Sequence, residues 1–208
     1  MKLGTPITEP IKSVKGYLPK LGEMEAKFER RPVYSGIEAY ASSTSRRVGS
    51  ETYCILGDKI HGNYISADEA FQKQGVGEFV RAASLVEMLT YGGGKIKKFI
   101  IESMPNAEGF HRRYGFKPYV KNYDIQKGLA TLNYDRRLLV QPLKARAKEL
   151  FEAGKTEELQ TLINEYMKEV KTAMGSNLIP LKLTRQDILD NPEFYNKLFE
   201  KNGIDFQI

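Results

Sequence analysis

FQKQGVGE, residues 71–78, places two glycines, Gly75 and Gly77, one residue apart. The turn stands between a strand-like run, HGNYISAD, and a helix-like run, EFVRAASLVEMLTY. Backbone N–H groups at a glycine-rich turn that opens a helix can face an anion. Because residues 98–103 have the composition of a buried strand, the order strand, turn, helix, strand predicts a βαβ crossover with a parallel pair. The glycine turn is therefore predicted at the strand-to-helix corner of this unit.

Two common nucleotide-binding motifs are excluded, because each requires a residue that this sequence lacks. A Rossmann fingerprint needs a third glycine three residues after Gly77, but that position is Val80. A P-loop needs Ser or Thr after its Gly-Lys pair, whereas Gly94-Lys95 is followed by Ile96. The turn is therefore neither of these phosphate sites.

What remains is the pattern Gln72-x-x-Gly75-x-Gly77, followed after the next strand by FHRRYGF, residues 110–116. This pair of motifs resembles the acyl-CoA-binding core of the GNAT superfamily of N-acetyltransferases, over roughly residues 50–135. The resemblance implies an α/β (α+β) fold: a GNAT-like twisted mixed sheet of about six or seven strands with helices on both faces, plus a C-terminal helical extension. It also implies acetyl-CoA as co-substrate, with its pyrophosphate on the turn residues Gln72, Lys73, Gln74, Gly75, Val76, Gly77 and Glu78.

The resemblance further implies that the strands flanking the turn and helix separate at their ends. Residues 63–68 form the first of these strands and residues 98–103 the second. The pantetheine arm of CoA is expected in the gap between them, bound to main-chain groups. The candidate contacts are Ile65, Ser66 and Ala67, extending to Asp68.

Transfer of an acetyl group to an amine needs a neutral attacking amine, a stabilised oxyanion and a protonated leaving thiolate. Many family members supply the proton from a tyrosine four residues before the glycine of the Gly-Phe pair, and here that residue is His111. Either His111 donates the proton, which its near-neutral reference pKa permits, or the activity is slow or lost. Alternatively, His111 is a surface residue beside Arg112 and Arg113.

Tyr114 stands near one helical turn from His111, so that it could share a face with it as a core residue, a cleft wall or a second proton donor. Three carboxylates, or an ordered water, are candidates for the general base. Each carboxylate could instead be solvated or paired with nearby lysines. These three residues are Asp68, Glu69 and Glu102.

Composition limits the other chemistries. The 208 residues include one cysteine, Cys54, and two histidines, so no disulfide framework and no metal site is expected. The net charge of +6 suggests an acidic partner, but the basic residues are dispersed, so nucleic acid is permitted and unsupported. No apolar run approaches the ~20 residues of a membrane span, and the N-terminus lacks a signal-peptide core. A cytoplasmic location with no membrane association is expected.

The distribution of prolines and glycines along the sequence predicts that the chain has three parts. Residues 1–32 are expected to be an irregular arm with at most one short helix near residues 23–30, and residues 33–140 form the acyl-CoA-binding domain. Gly57-Asp58 is a candidate hairpin turn, and KPYVKNYDI and ATLNYDRRLLV have strand-like composition. Residues 141–208 are expected to be helices packed on that domain, or on a second copy of the chain, through one apolar stripe: Leu159, Leu162, Ile163, Tyr166 and Val170.

The function predicted first is an acyl-CoA-dependent N-acetyltransferase that acts on an unidentified amine of a small molecule or a protein. A non-catalytic GNAT-like binding module is the alternative that the missing tyrosine favours. A third alternative is an acetyltransferase toxin or effector acting on a macromolecule such as a charged tRNA, which only the basic charge supports.

Overall fold

The computed structural model describes residues 1–3, 10–31 and 34–208. Its strands are β1 (Ser13–Leu18), β2 (Gly22–Arg30), β3 (Ser35–Ala41), β4 (Arg46–Leu56), β5 (Lys59–Ala67), β6 (Lys98–Ser103), β7 (Lys117–Pro118) and β8 (Ile179–Thr184). They form one sheet in the order β1-β2-β3-β4-β5-β6-β8-β7. Neighbours from β1 to β5 are antiparallel, and β5 and β6 are parallel. The predicted mixed sheet of an α/β fold is confirmed, with eight strands in the described residues instead of six or seven.

The helices of the described residues are α1 (Val76–Thr90), α2 (Glu108–Arg112), α3 (Ile125–Tyr134), α4 (Gln141–Glu152), α5 (Thr156–Ala173), α6 (Arg185–Leu189) and α7 (Pro192–Lys201). None of them combines the length and the hydropathy needed to cross a lipid bilayer. The chain divides into two compact units. The first comprises Met1–Glu102, Gly109–Lys117 and Leu181–Ile208, and the second Ser103–Glu108 and Pro118–Pro180.

The prediction of an irregular N-terminal arm with a helix near residues 23–30 is wrong for the residues that the structure describes. β1 and β2 form an antiparallel hairpin, and β2 continues onto β3. Met24 and Ala26 are buried at alternate positions, which is the period of a strand. Pro19 lies in the hairpin turn, where no ladder hydrogen bond is required of it. Pro10 precedes β1, and the other two prolines of the arm, Pro6 and Pro32, lie outside the described residues.

The two strand-like runs after residue 116 are also predicted wrongly. Only Lys117–Pro118 forms a strand there, and α3 replaces the second run. The helix begins at Asp124, whose side chain accepts a hydrogen bond from the N–H of Lys127 at 2.7 Å. Gly128 then lets α3 approach Ile163 of α5 closely. A cap and a tertiary contact thus outweigh the β-type composition of this stretch.

The C-terminal third does not form one extension. The predicted apolar stripe of α5 packs within the second unit, against α3 and α4. Its buried core consists of Leu132, Val140, Ala147, Leu150, Leu159, Ile163 and Tyr166. By contrast, residues 181–208 belong to the first unit, where the carbonyl of Asn202 accepts a hydrogen bond from the N–H of Tyr17 at 2.8 Å. The predicted boundary at residue 140 therefore differs from the structural one.

Replacing Gly128 with alanine is expected to destabilise the second unit. The new Cβ would overlap the side chain of Ile163, and overpacking of this kind costs about 1–3 kcal/mol, which exceeds the gain of about 1 kcal/mol in helix propensity. Urea unfolding measures the change. The matched control is Gly109→Ala in α2, where nothing lies within 4 Å of the new atom and no loss is expected. Equal stability of the two variants would contradict the close packing of α3 on α5.

Candidate functional site

The glycine turn joins β5 to α1 with two residues in the left-handed region. Lys73 has φ 58°, and Gly75, the N-cap of α1, has φ 90°. Only glycine adopts the second conformation without strain. The helix has no side-chain cap, and its first intrahelical bond runs from the N–H of Phe79 to the carbonyl of Gly75 at 2.9 Å. The N–H groups before Phe79 therefore have no intrahelical acceptor, at the positive end of the helix dipole.

The two glycines of the turn serve different purposes. A Cβ at Gly75 would lie 3.2 Å from the Leu18 side chain and would also be strained by its φ. A Cβ at Gly77 would lie 3.5 Å from Phe110, which is an ordinary contact, and the backbone there is not left-handed. Gly75 is therefore required by the backbone itself, whereas Gly77 keeps side-chain bulk away from the first turn of α1.

β5 and β6 separate next to this turn. Their parallel pairing runs from Lys59↔Lys98 to Gly62↔Ile101, and no later pair is present in the described residues. β5 continues to Ala67, paired with β4, after a bulge that leaves Asn63 without an opposite residue. The edge of Ile65, Ser66 and Ala67 that faces away from β4 therefore has no strand partner among the described residues. The structure thus contains the gap that the resemblance implies, beginning at Gly62.

A buried ion pair lies at the point where the two strands part. Arg81 Nη1 of α1 is 2.9 Å from Glu51 Oε1 of β4, and both side chains are 1% exposed. The guanidinium of Arg81 lies 4.9 Å from the ring centroid of Phe99 and 5.1 Å from that of Phe116. Burial raises the pKa of Glu51, and the charge of Arg81 opposes that rise. A Cβ at Gly62 would be 3.6 Å from Glu51 Oε1, which places the carboxylate beside the strand separation.

Neither Glu51 nor Arg81 was predicted from the sequence as a site residue. A signal exists for Arg81, because it is the one charged residue within the stretch of α1 from Phe79 to Val86, whose other residues are apolar except for Ser84. Glu51 lies two residues before the buried Tyr53 and therefore on the same face of β4, so its position also predicts an inward direction. Two opposite charges in buried positions of elements that pack together indicate an ion pair.

His111 completes this cluster. The side chain is only 6% exposed, so the alternative of a surface histidine is wrong. Its Nδ1 lies 3.4 Å from Arg81 Nη2. Because a guanidinium can only donate, Nδ1 accepts and the proton of the neutral ring is on Nε2. Burial, and to a smaller extent the charge of Arg81, lowers the pKa of His111 to about 4, so the imidazole is neutral at pH 7.

The stability of the protein is expected to fall as the pH drops from about 6.5 to 4. In this window the unfolded chain binds a proton at His111, because its pKa has the ordinary value, while the folded state resists protonation. The free energy of unfolding that is lost in this way is at most about 3 kcal/mol. Urea unfolding of wild type and His111→Gln at pH 7, 5.5 and 4.5 measures it, with His61→Gln as the control because His61 is the other histidine. If the free energy of unfolding of His111→Gln falls with pH as steeply as that of wild type, the claim that the buried imidazole is neutral is contradicted.

The structure places Tyr114 beside His111, where the N–H of Tyr114 donates to the carbonyl of His111 at 3.0 Å. The candidate bases belong to two strands or their ends. Tyr114 is 4% exposed, its hydroxyl donates to Glu78 Oε2 at 3.3 Å, and burial raises its pKa to about 12. Asp68 and Glu69 stand at the end of β5, where the N–H of Asp68 donates to the carbonyl of Val48 at 2.9 Å. Glu102 alternates with the buried residues of β6 and so lies on the opposite face of that strand.

Three contacts fix the position of the Glu78 carboxylate at the first turn of α1. Besides the bond from Tyr114, it lies 2.8 Å from Lys201 Nζ and accepts from Asn202 Nδ2 at 3.3 Å. Lys201 thus compensates the negative charge that Glu78 adds near the glycine turn. In the part of the chain that the structure describes, no group of three or more His, Cys, Asp or Glu side chains is arranged to hold a metal ion.

No protein-family model and no curated protein sequence matches the chain. Solved structures that resemble part of it include a GNAT family acetyltransferase from Elizabethkingia anophelis with acetyl-CoA bound, at 19% identity and a TM-score of 0.36, over 43% of this chain and 60% of that one. The ribosomal-protein-S18-alanine N-acetyltransferase from Escherichia coli matches at 18% identity and a TM-score of 0.37, over 45% and 61%. An acyl-CoA N-acyltransferase from Pseudomonas aeruginosa matches at 12% identity and a TM-score of 0.37, over 43% of this chain and 61% of that one.

The chain therefore spans about 60% of the length of these three structures.

Proposed function

We propose that this protein binds acetyl-CoA at the start of α1 and transfers the acetyl group to an amine. The observation that carries the proposal is the separation of β5 from β6 at Gly62, directly beside an uncapped helix start. Neither feature by itself defines a ligand. Together they offer N–H donors for an anion and an open strand edge for an extended chain of amides, which are the two ends of a CoA molecule.

The residues present fit both parts of CoA. The pyrophosphate would be held by N–H groups of the turn from Lys73 to Glu78, where the left-handed Gly75 shapes the backbone. The pantetheine amides would pair with the main chain of Ile65, Ser66 and Ala67 along the edge that β6 leaves open. The thioester would then lie toward the strand separation, beside which the Glu51–Arg81 pair is located.

In the proposed reaction, the lone pair of a neutral amine forms the new C–N bond and the C–S bond breaks. The proton of the amine passes to Asp68, Glu69, Glu102 or an ordered water, and the thiolate leaves and takes up a proton from water. His111 is proposed to assist the leaving sulfur through its Nε2–H, because Nδ1 is engaged by Arg81. A neutral donor acts here by hydrogen bonding to the developing charge, which strengthens in the transition state.

Replacing His111 with alanine is expected to lower turnover about 10²-fold or more and to leave acetyl-CoA affinity nearly unchanged, because the group acts in the transition state. His111→Tyr is expected to recover part of the rate. Turnover is followed as release of the CoA thiol, and calorimetry measures affinity. Thermal unfolding of each variant controls for the burial of this side chain. Wild-type turnover of a folded His111→Ala protein would contradict the role and leave Tyr114 or solvent as the donor.

The second candidate is a module that binds CoA thioesters without catalysis. The observation that favours it is the neutral, buried state of His111, because a lowered pKa makes the imidazolium unavailable as an acid at pH 7. The two functions differ in one result. Binding of acetyl-CoA with no thiol release above the buffer rate, across primary amines and a cell-extract amine fraction, supports the module.

A further inference from the structure

An acidic side chain stands at the start of α1, where the proposed function puts the pyrophosphate of CoA. Glu78 lies in the first turn of this helix, and its own N–H is among the groups that would hold the anion. A carboxylate at a helix N-terminus stabilises the helix, but it repels a second anion at the same place. The turn can therefore hold a pyrophosphate well only if the charge of Glu78 is compensated.

The compensating charge comes from the C-terminal segment of the chain. Lys201 is the last residue of α7, and its Nζ lies 2.8 Å from Glu78 Oε1. The exposed fraction of the side chain is 70% for Lys201 and 21% for Glu78. The ammonium group is thus held one side chain away from the N–H groups of the glycine turn.

Asn202 fixes the part of the backbone that carries Lys201. Its side chain is buried, and its Nδ2 donates to Glu78 Oε1 at 3.3 Å and to the carbonyl of Leu198 at 2.8 Å. Its own carbonyl accepts a hydrogen bond from the N–H of Tyr17 in β1 at 2.8 Å. The end of α7 is therefore attached to both α1 and β1 before any ligand binds, which reduces the entropy that binding must cost.

Both oxygens of the Glu78 carboxylate are engaged, so its charge stays at the turn. Oε2 accepts from the Tyr114 hydroxyl at 3.3 Å, and Oε1 contacts Asn202 and Lys201. Tyr114 and Asn202 are neutral donors, which satisfy the carboxylate without cancelling its charge. Of these three partners, Lys201 alone carries a positive charge.

We propose that Lys201 is a residue of the acetyl-CoA site, whose ammonium group neutralises Glu78 so that the glycine turn can hold a pyrophosphate. The affinity for CoA then depends on helix α7, far along the chain from the turn. This inference rests on the proposed binding of acetyl-CoA at the start of α1. A partly exposed ion pair contributes little to stability, so the loss of Lys201 is expected to change binding rather than unfolding.

Calorimetry with CoA at low salt tests the proposal on the full chain. Lys201→Gln is expected to weaken binding about fivefold or more, because it leaves the charge of Glu78 uncompensated beside the pyrophosphate. Glu78→Gln removes that charge and keeps an oxygen acceptor, so it is expected to bind CoA more tightly than wild type. The double variant is expected to bind within about twofold of wild type.

The matched control is Lys197→Gln, which removes the same charge from an exposed lysine one turn earlier in α7. It is expected to bind CoA like wild type. Salt gives a second readout, because the difference between wild type and Lys201→Gln should shrink at about 0.5 M KCl, where interactions between partly exposed charges are screened. In the wild-type protein, CoA is expected to shift the amide signals of Lys201 and Asn202 together with those of the turn.

Two results would overturn the inference and leave the proposed binding of CoA intact. If Lys201→Gln binds CoA like Lys197→Gln, the ammonium group has no part in the site. If the double variant binds as weakly as Lys201→Gln, the ammonium group does not act through Glu78. If CoA binds neither to wild type nor to any variant, the proposed function itself fails, and this inference fails with it.

Discussion

Replacing Arg81 with methionine is expected to lower the free energy of unfolding by about 3–5 kcal/mol. The substitution keeps an apolar stem between Phe99 and Phe116 but leaves the Glu51 carboxylate buried without a counter-charge. Removing one member of a buried pair is costly because the remaining charge keeps its desolvation penalty. Urea unfolding at pH 7 measures the loss.

The double variant Arg81→Met with Glu51→Gln distinguishes this cause from lost packing. It removes both charges, so most of the lost stability is expected to return. The matched control is Arg113→Met, at an exposed arginine of the first unit just after α2, with an expected change below about 1 kcal/mol. If the double variant is no more stable than Arg81→Met, the charge on Glu51 is not what makes the single change costly.

Replacing Gly75 with valine is expected to weaken the binding of acetyl-CoA at least tenfold, which is about 1.4 kcal/mol. A β-branched residue at φ 90° is strained, and its Cβ would press on Leu18, so the turn must change shape. That change moves the N–H groups that would hold the pyrophosphate. Isothermal titration with acetyl-CoA and CoA measures the affinity.

Three variants separate strain, bulk and side-chain effects. Gly154→Val places the same residue at φ 66° in the second unit, where nothing lies within 4 Å, and acetyl-CoA affinity should be that of wild type. Gly77→Val adds bulk beside the N–H groups without backbone strain and is expected to weaken binding to a similar extent as Gly75→Val. Gln72→Ala should have a smaller effect. If folded Gly75→Val and Gly77→Val proteins both bind like wild type, the glycine turn does not hold the pyrophosphate.

The parts of the fold that sequence predicted are those whose signals are local. Gly57-Asp58 makes the two-residue turn between β4 and β5, with Leu56 paired to Lys59. The helix-like run that follows the glycine turn predicted α1. In each case a turn residue and a hydrophobic period agree within one short segment.

The parts that sequence missed depend on contacts between distant segments. β2 has many charged residues, and only its pairing with β1 and β3 makes it a strand. The Glu51–Arg81 pair joins residues of β4 and α1 that no local pattern connects. The neutral state of His111 likewise follows from burial beside Arg81, which its neighbours in the chain do not reveal.

The most direct test of the central claim is a titration of the ¹⁵N-labelled protein with CoA, followed by the amide signals of the backbone. Binding at the start of α1 and along the open edge of β5 predicts saturable shifts of Gly75, Val76, Gly77 and Glu78 together with Ile65, Ser66 and Ala67. If CoA at millimolar concentration leaves both groups of signals unchanged, the account is contradicted.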